Sequence, residues 1–462
     1  MRFAASVLAG CSLSLAACAT SPTVPPAPGA GDIELPADFS AGYRPPPGTD
    51  EDWWKGFRDD RLDELIELAL TENLGIAATR ERLEASRAAL RAERSDLLPS
   101  LDGGASAGID ADADGTADRL SIGVSGFFDP DLSGRLSAEI EAAAASAAAA
   151  KYLVADRRRI VAAEVARQYI ELRRTGERLK LLDQSTELQE RTLRTVTLRF
   201  EAGLAANLDV RRAAADLART RAQRGLLELQ RSQAAHALDV LIGRVPGGTP
   251  AVPDTADGVP GFAGGPPRGT PADMLRRRPD LLVAEMGLVE AAAIVGIERS
   301  DLLPSLSISG QALLGDGSFS GIVSDFLASL AASLDLPLFD GGRRRAEVTA
   351  AEAELAARFA EYRQQVLQVM GEAENALVGI AAFEARSREL AIAVGESERA
   401  FEQSNALYRE GLANLFDVLD SQRQLISSRE SQIDSEAALA TSIVGLYSAI
   451  GGPPGIESAG AA

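Results

Sequence analysis

The residues of this sequence that could carry out chemistry are few, and the clearest of them are carboxylates on a helix. Asp417 and Asp420 are three residues apart, and Arg423 follows after three more. Helical residues at this spacing share a face, so the two carboxylates can attract cations and pair with arginine. The chain has one histidine, His236, and two cysteines, which is too few for a His-based metal site. We therefore expect no metal, no catalytic residues and no enzyme.

The first residues resemble a bacterial lipoprotein signal. Arg2 precedes a short apolar run that ends in Leu15-Ala16-Ala17-Cys18, a pattern in which the cysteine is lipidated and becomes the first residue of the mature chain. The alternative is an ordinary secretory peptide cut after small residues. Ala19, where an Asp commonly retains lipoproteins in the inner membrane, resembles the outer-membrane form. We expect a signal peptide over 1–17 and a covalent lipid on Cys18. We expect no cofactor.

Composition narrows the function further. The formal net charge is −20, which argues against a nucleic-acid partner because phosphates must be neutralised by positive charge. Aromatic residues make up only 5% of the chain, and its Ala- and Leu-rich apolar content favours long helices. No stretch after the signal reaches the roughly 18 apolar residues of a transmembrane helix.

The sequence contains a tandem duplication. The segment 93–101 recurs as 298–306, and the segments around Gly203 and Gly411 resemble each other 208 positions apart. The predicted organisation is a lipidated arm, a first repeat, a Gly/Pro-rich linker, a second repeat and a flexible tail. These segments cover 18–50, 51–242, 243–271, 272–450 and 451–462.

Each repeat contains two short segments that alternate between apolar and small or polar residues. They follow Pro99 and Pro304, where the helical periodicity ends. In the second repeat, Leu306, Ile308 and Leu314 alternate with serines and Gln311. Segments of about ten residues with this pattern are typical of transmembrane β-strands. A soluble antiparallel sheet packed on helices remains the alternative.

Two exceptionally long helices are predicted. Residues 136–202 and 343–410 contain no proline, and each would extend about 100 Å as a helix. Shorter helices over 207–241 and 414–447 follow them, and the last carries a heptad repeat typical of coiled coils. The Gly203 and Gly411 segments are then turns between antiparallel helices.

Helices also open each repeat. In the first repeat, Leu62 to Arg94 predicts one helical segment. In the second, a helix starts at Pro271 and should break or kink at Pro279. The run Arg276 to Arg278 could bind phosphate or lipopolysaccharide, but support of the helix start and packing between subunits is the favoured interpretation.

Four strands cannot close a barrel, and an open edge in lipid would leave backbone groups without hydrogen bonds. If the strands lie in a membrane, several chains must share one barrel. Three chains would give 12 strands and, at about 4.8 Å spacing and about 40° tilt, a barrel about 24 Å wide. The predicted fold class is thus mainly α with transmembrane β.

The chain resembles the TolC/OprM-type outer-membrane efflux family, in its lipoprotein (NodT-like) branch. Besides the lipobox, the resemblance rests on Trp53-Trp54, on Leu275 to Asp280 (LRRRPD), on Pro304-Ser305-Leu306 and on Tyr408 to Arg423. It implies a homotrimer with a 12-stranded barrel in the outer membrane and an α-helical tunnel in the periplasm.

The resemblance also implies a passive exit duct for small molecules or metal ions. Its partners would be a periplasmic membrane-fusion adaptor, an inner-membrane pump of the RND type and outer-membrane lipid. A protein-secretion channel of the same family is one alternative. A structural coiled-coil lipoprotein that tethers envelope layers is another.

Two sets of site residues follow from the resemblance. Asp209, Asp417 and Asp420 match acidic residues that ring the closed periplasmic end, and Arg423 is a candidate partner of Asp420. The alternative is that the aspartates are solvated helix-start residues. The turns, Gly203-Leu204 and Gly411-Leu412, match the family's adaptor contacts, although glycine there is also explained by turn geometry.

Overall fold

The structure, a computed structural model, describes residues 24–37, 39, 52–112, 115–247, 258–263, 271, 277–317 and 326–451. The signal peptide, Cys18, the tail and most of the linker lie outside these ranges. The chain forms two compact units. The sheet unit comprises the described parts of Met1–Glu34, Arg80–Leu153 and Asp280–Gln365, and the helical unit comprises those of Leu35–Thr79, Val154–Pro279 and Val366–Ala462.

The predicted long helices are present with almost the expected bounds. In chain order the helices are α1 (Asp60–Glu72), α2 (Leu74–Ser95), α3 (Arg135–Glu201), α4 (Asn207–Leu241), α5 (Pro279–Ser300), α6 (Arg343–Arg409) and α7 (Leu415–Ile450). The first long helix of each repeat, α3 or α6, contains 67 residues. The helices that follow them, α4 and α7, contain 35 and 36 residues, so the two repeats contain helical hairpins of nearly equal length.

The four predicted strands form one antiparallel sheet. They are β1 (Ser100–Asp112), β2 (Gly115–Phe128), β3 (Ser305–Gly317) and β4 (Phe326–Asp335), in the spatial order β1-β2-β3-β4. The β2–β3 pair joins the two repeats. Strands β1 and β4 are the edges of this sheet, so among the described residues each has one side without a strand partner.

The expectation of one helix from Leu62 to Arg94 is wrong, because the helix is interrupted at Asn73. This residue has an extended ψ of 120° and separates α1 from α2. Its buried side chain accepts a hydrogen bond from the N–H of Ile76 at 3.1 Å and donates one to the carbonyl of Leu241 at 2.8 Å. Asn73 therefore caps α2 and ties it to the end of α4.

The predicted break at Pro279 is confirmed. Arg278 is not helical, and Pro279 is the first residue of α5, a position where its missing N–H costs no hydrogen bond. The guanidinium of Arg278 is buried and donates to Glu372 at 2.8 Å and to the carbonyl of Ala449 at 3.0 Å. Arg278 thus supports packing and cannot take part in an exposed phosphate-binding patch.

The core of the helical unit joins residues far apart in sequence. Trp53 stacks on Tyr447 with ring centroids 5.4 Å apart, and Phe57 contacts Phe262 edge-on at 4.9 Å. Phe262 belongs to the linker and also packs on Tyr447 at 5.5 Å. The linker is therefore anchored on the helical unit at this aromatic cluster.

In the sheet unit, the N-terminal arm lies along α5. A Cβ placed on Gly296 would lie 2.8 Å from Cγ2 of Val24, and one on Gly29 would lie 3.3 Å from the Glu285 carboxylate. The arm thus runs antiparallel to α5, and the missing side chain of Gly296 makes room for Val24.

Within the part of the chain that the structure describes, α6 alone is long and apolar enough to cross a membrane. An 18-residue window of α6 is apolar enough to cross a bilayer, with at most two charged residues, and 22% of it is buried. The sequence predicted no apolar stretch of this length after the signal peptide. This expectation does not hold for α6 if up to two charged residues are allowed within the 18-residue window.

We predict that Asn73→Ala destabilises the protein by about 1–3 kcal/mol, because α2 loses its cap and the Leu241 carbonyl loses a donor. Asn73→Ser keeps a capping oxygen and should lose less. Thermal unfolding followed by circular dichroism measures both. Ser86→Ala, at a partly exposed position of α2 away from the cap, is the control; equal effects of all three substitutions would contradict the capping role.

Candidate functional site

The two interhelical turns have the same backbone geometry. Gly203 and Gly411 have φ angles of 74° and 77°, a conformation that favours glycine. After each glycine the leucine N–H bonds back into the preceding helix, from Leu204 to Arg199 at 2.7 Å and from Leu412 to Leu407 at 2.8 Å. This is the Schellman arrangement that ends helices at glycine. Turn geometry thus accounts for the glycines.

The leucines of these turns are not buried by the chain. Leu204 is 69% exposed and Leu412 is 76% exposed. Two exposed apolar side chains at matching turns form a small surface that another protein can cover. We call it the turn surface. Its predicted role as an adaptor contact stays a prediction.

Asp417 has a defined structural task at the start of α7. Its backbone N–H donates to the Asn414 side chain at 3.1 Å, and its carboxylate accepts the Asn414 N–H at 3.2 Å. These reciprocal bonds form a capping box. The helix-start interpretation therefore accounts for part of the role of Asp417, and the cap also holds its carboxylate at a fixed place beside the turn.

Asp420 and Arg423 lie on the exposed surface of α7. Their charged groups approach to 3.6 Å, and both side chains are at least half exposed. The Arg423 Nε also donates to the carbonyl of Leu419 at 3.1 Å. An exposed ion pair of this kind contributes little to stability, so Asp420 remains free to interact with ions or with other chains.

Asp209 occupies the corresponding place in the first repeat. It lies in the first turn of α4, where the helix dipole favours a carboxylate, and Arg212 is 3.9 Å away. The structure thus places an acidic residue just after each turn. The gate role of Asp209, Asp417, Asp420 and Arg423 stays a prediction.

A contact between the two turns was missed by sequence reasoning. The Arg199 guanidinium lies over the Tyr408 ring at 4.7 Å and donates to the Tyr408 carbonyl at 2.9 Å. Both residues lie within five positions of a turn glycine. Because they are more than 200 positions apart in sequence, no local pattern could have paired them.

Tyr408 is also close to Asp209. Burial raises the pKa of the Tyr408 phenol; Arg199 lowers this pKa, and Asp209 raises it. The hydroxyl is buried and has no hydrogen-bond partner among the described residues. The turn region therefore combines an aromatic ring, a guanidinium and a carboxylate within one small cluster.

Comparison with known proteins decides the family. The model of the family described as outer membrane efflux protein matches residues 65–244 and 270–452, which is most of the chain. The chain belongs to this family. It is an outer-membrane exit channel for efflux, and the predicted family, fold class and location are confirmed.

Relatives align with this efflux protein over nearly its whole length. The pyoverdine export outer membrane protein OpmQ of Pseudomonas aeruginosa is 29% identical, covering 97% of the chain and 96% of OpmQ. The toluene efflux pump outer membrane protein TtgF of Pseudomonas putida is 29% identical, covering 96% and 95%. A solved structure of the outer-membrane channel OprN is 30% identical, covers 91% of this chain and 98% of that one, and superposes with a TM-score of 0.85.

We predict that Arg199→Ala loosens both turns by about 1 kcal/mol, because a cation–π contact and a hydrogen bond are lost. Hydrogen exchange of 200–206 and 408–414 should accelerate in the purified protein. Tyr408→Phe is the matched control, since it keeps the ring and removes only an unpartnered hydroxyl. If the Arg199 variant exchanges like the control, the contact does not hold the turns.

Proposed function

We propose that three copies of this chain form one exit duct, with a shared 12-stranded barrel in the outer membrane. The observation that carries the proposal is the four-stranded sheet with two open edges. All neighbouring strands are antiparallel, so β1 and β4 run in opposite directions. Strand β4 of one copy can therefore pair antiparallel with β1 of the next, and three copies close the ring.

Exposed apolar side chains on β4 support a lipid environment. All ten residues of β4 are exposed, including Phe326 at 66%, Leu330 at 81% and Leu334 at 50%. A soluble sheet packed on helices would bury one such face. In the proposed barrel, lipid covers the outward side chains and neighbouring copies satisfy the edge strands.

The N-terminal arm supports lipidation of Cys18 near the sheet. Val24 contacts Gly296, four residues before α5 ends, and β3 begins soon after at Ser305. Val24 is six positions after Cys18 in the sequence, so the two residues lie at most about 20 Å apart. A lipid on Cys18 would then enter the same leaflet that borders the barrel.

The partners of the duct would be a periplasmic membrane-fusion adaptor and an inner-membrane RND-type pump. The turn surface supports an adaptor contact because its leucines are exposed and its backbone is fixed by glycine turns. The named cargoes of relatives, pyoverdine and toluene, are small organic compounds. We therefore favour small molecules over proteins as cargo, and no enzymatic step is required of this chain.

Planar bilayer recordings test the duct directly. The purified, folded protein should form discrete pores, migrate as a heat-modifiable oligomer on gels and cross-link as a trimer. A well-folded trimer that forms no pores would refute the proposal. A protein without β-signal in detergent would instead fit a coiled-coil lipoprotein that tethers envelope layers.

We predict that neutralising the aspartates of α7 raises pore conductance, because six carboxylates of the trimer would otherwise bind arginine and cations at the constriction. The informative variant is Asp417→Gln with Asp420→Asn. Glutamine at this capping-box position retains the backbone hydrogen bond while removing the charge. Conductance and reversal potential in a salt gradient are the measurements.

Asp417→Ala with Asp420→Ala serves for comparison, since it loses both charge and cap. Equal conductance in the two double variants would assign the effect to charge. The unmodified duct should be mildly cation-selective, and the neutral variants less so. A clear anion preference of the unmodified duct would contradict a gate lined by these aspartates.

We predict that Leu204→Glu with Leu412→Glu weakens binding of the cognate adaptor, because each substitution places a charge on the apolar turn surface. Pull-down of the adaptor by the purified trimer measures the loss, and pore conductance should remain. Val245→Glu, at a position that is 79% exposed outside the turns, is the control. Undiminished binding by the leucine variant would remove the turns from the adaptor contact.

A further inference from the structure

Helix α6 carries a stripe of exposed apolar side chains along one side. Its exposed large apolar residues are Leu367, Val378, Ile392 and Leu407. At about 100° per residue, these four positions lie within an arc of about 60°, and they span about 60 Å of helix. Each side chain is at least 46% exposed. The described part of the chain therefore leaves this stripe largely uncovered.

Helix α4 carries a second stripe of the same kind. Its exposed large apolar residues are Leu208, Leu226, Leu229 and Val240. Each is at least 52% exposed, and the four positions again lie within an arc of about 60°. On α7, the equivalent of α4 in the second repeat, the described residues include a single exposed large apolar side chain, Phe416. The second repeat therefore lacks the stripe of α4.

The stripes lie on the outermost helices of one copy. We call α3 with α4 the first hairpin and α6 with α7 the second hairpin. Arg221 of α4 pairs with Glu190 of α3 at 2.6 Å, and Arg429 of α7 pairs with Glu398 of α6 at 2.8 Å. Ion pairs between α3 and α7 join the two hairpins. The helices thus follow the order α4-α3-α7-α6.

The same ion pairs fix the correspondence between the repeats. Both residues of Arg429–Glu398 are numbered 208 higher than those of Arg221–Glu190, and this offset holds without insertions from α3 to the end of α4. Helix α6 is therefore equivalent to α3, and α4 is equivalent to α7. The joint between α3 and α7 can thus be transferred, position by position, to α6 and α4.

Within one copy, α3 and α7 run antiparallel and are joined by polar groups. The Arg159 guanidinium donates to the Ser448 carbonyl at 2.8 Å, and the Arg174 guanidinium donates to the Asp434 carboxylate at 2.8 Å. The two arginine side chains are 13% and 20% exposed. Charge-assisted hydrogen bonds are stronger than those between neutral groups. They account for much of the attachment between the two hairpins of one copy.

At the equivalent positions of α6 and α4, apolar side chains replace these polar groups. Arg159 and Ser448 correspond to Leu367 and Val240. Both replacements are stripe residues, and they are 64% and 59% exposed. A hydrogen-bonded pair between the hairpins thus corresponds to an apolar pair on the outer sides of the same copy.

A second pair in the same register indicates that the stripes are covered in the assembled protein. Ile170 and Ala437 lie in one buried apolar cluster, where they are 1% and 4% exposed. They correspond to Val378 and Leu229, which are 60% and 52% exposed. The same positions are buried where two hairpins meet and exposed where a copy ends. A second copy of the chain would bury them.

A third pair extends this register to the turns. The Arg199–Tyr408 contact between the hairpins corresponds to Leu407 and Phe200. These two side chains are 46% and 42% exposed. Once more a contact that involves a charge inside one copy corresponds to an apolar pair on its outer sides. The three pairs together extend over the length of the α6 stripe.

We propose that the two stripes form the joint between copies in the helical part of the duct. Helix α6 of one copy packs antiparallel on α4 of the next, with Val378 against Leu229 of the partner subunit. The proposal rests on the proposed trimer and names the surfaces that join its copies. Different helices meet, so the contact is heterologous and can close into a ring. Copies associate because the stripes leave water.

Cysteine cross-linking tests this register. In Val378→Cys with Leu229→Cys, oxidation of the purified protein should link neighbouring copies into a covalent trimer on a denaturing gel. A disulfide requires Cα atoms within about 7 Å, which facing positions provide. Leu367→Cys with Val240→Cys should behave in the same way, and a reducing agent should restore the single chain. Disulfides that form only within one copy would contradict the joint.

The matched control moves one cysteine by one helical turn. Val378→Cys with Gln233→Cys keeps an exposed position on the same side of α4 and displaces the thiol by about 6 Å along the helix. It should cross-link at least about tenfold more slowly, because the Cα atoms are then too far apart. Equal rates for the two pairs would overturn the register.

Charge substitutions test whether the stripes hold the copies together. Val378→Glu with Leu229→Glu places a carboxylate on each stripe and should cause loss of the trimer in detergent, measured by native mass spectrometry. Circular dichroism should not change, because both positions are exposed within one copy. Val245→Glu, at a position that is 79% exposed outside the stripes, should leave the trimer intact. Undiminished trimer in the double variant would contradict the proposal.

The outcomes separate this joint from the duct itself. A conducting trimer in which neither cysteine pair links neighbouring copies would overturn the joint and leave the duct intact. A trimer that cross-links through the stripes but forms no pores would refute the duct and leave the joint standing. A monomeric protein in detergent and in bilayers would overturn both.

Discussion

Hydrocarbon offers no hydrogen bonds, and this constraint governs how the chain can place a sheet in a membrane. An edge strand in lipid leaves a row of N–H and C=O groups without partners, each at a cost of several kcal/mol. One copy of the chain provides four strands and two such edges. When further copies close the sheet into a barrel, no edge strand remains. Because neighbouring strands alternate in direction, the β4–β1 pair between copies is antiparallel, like every strand pair within one copy.

The same constraint explains why the composition resembles that of a soluble protein. The membrane-facing part consists of four strands of 10 to 14 residues, while helices account for most of the remainder. Alternating strands need only every second residue to be apolar. A protein built this way can therefore keep a net charge of −20 and few aromatic residues while still crossing a bilayer.

Much of this architecture was predictable from the sequence, because its signals are local. Proline at 99, 279 and 304 marks element boundaries, glycine at 203 and 411 marks turns, and the duplication lets each weak strand be checked against its repeat. The break at Asn73 was missed: asparagine is a favoured helix N-cap, which is a local signal, but the hydrogen bond from Asn73 to Leu241 joins residues far apart in the chain. The Arg199–Tyr408 contact was missed for the same reason. The aspartates were identified as site candidates from the sequence, whereas the structural task of Asp417 in the capping box is visible only in the structure.

The equal length of α3 and α6 has a consequence for how the family can vary. Because Arg199 and Tyr408 bind one another beside the two turns, a residue inserted in either long helix would shift one turn past the other and rotate its face by about 100°. Only paired insertions, made in both repeats, would keep the turns level. The two repeats differ in length by three residues. This difference lies in the segment that contains the sheet strands, between Pro99 and Gly134 in the first repeat and between Pro304 and Gly342 in the second. The lengths of the two helical hairpins are thus coupled through this contact, whereas the segments that contain the sheet strands differ in length between the repeats.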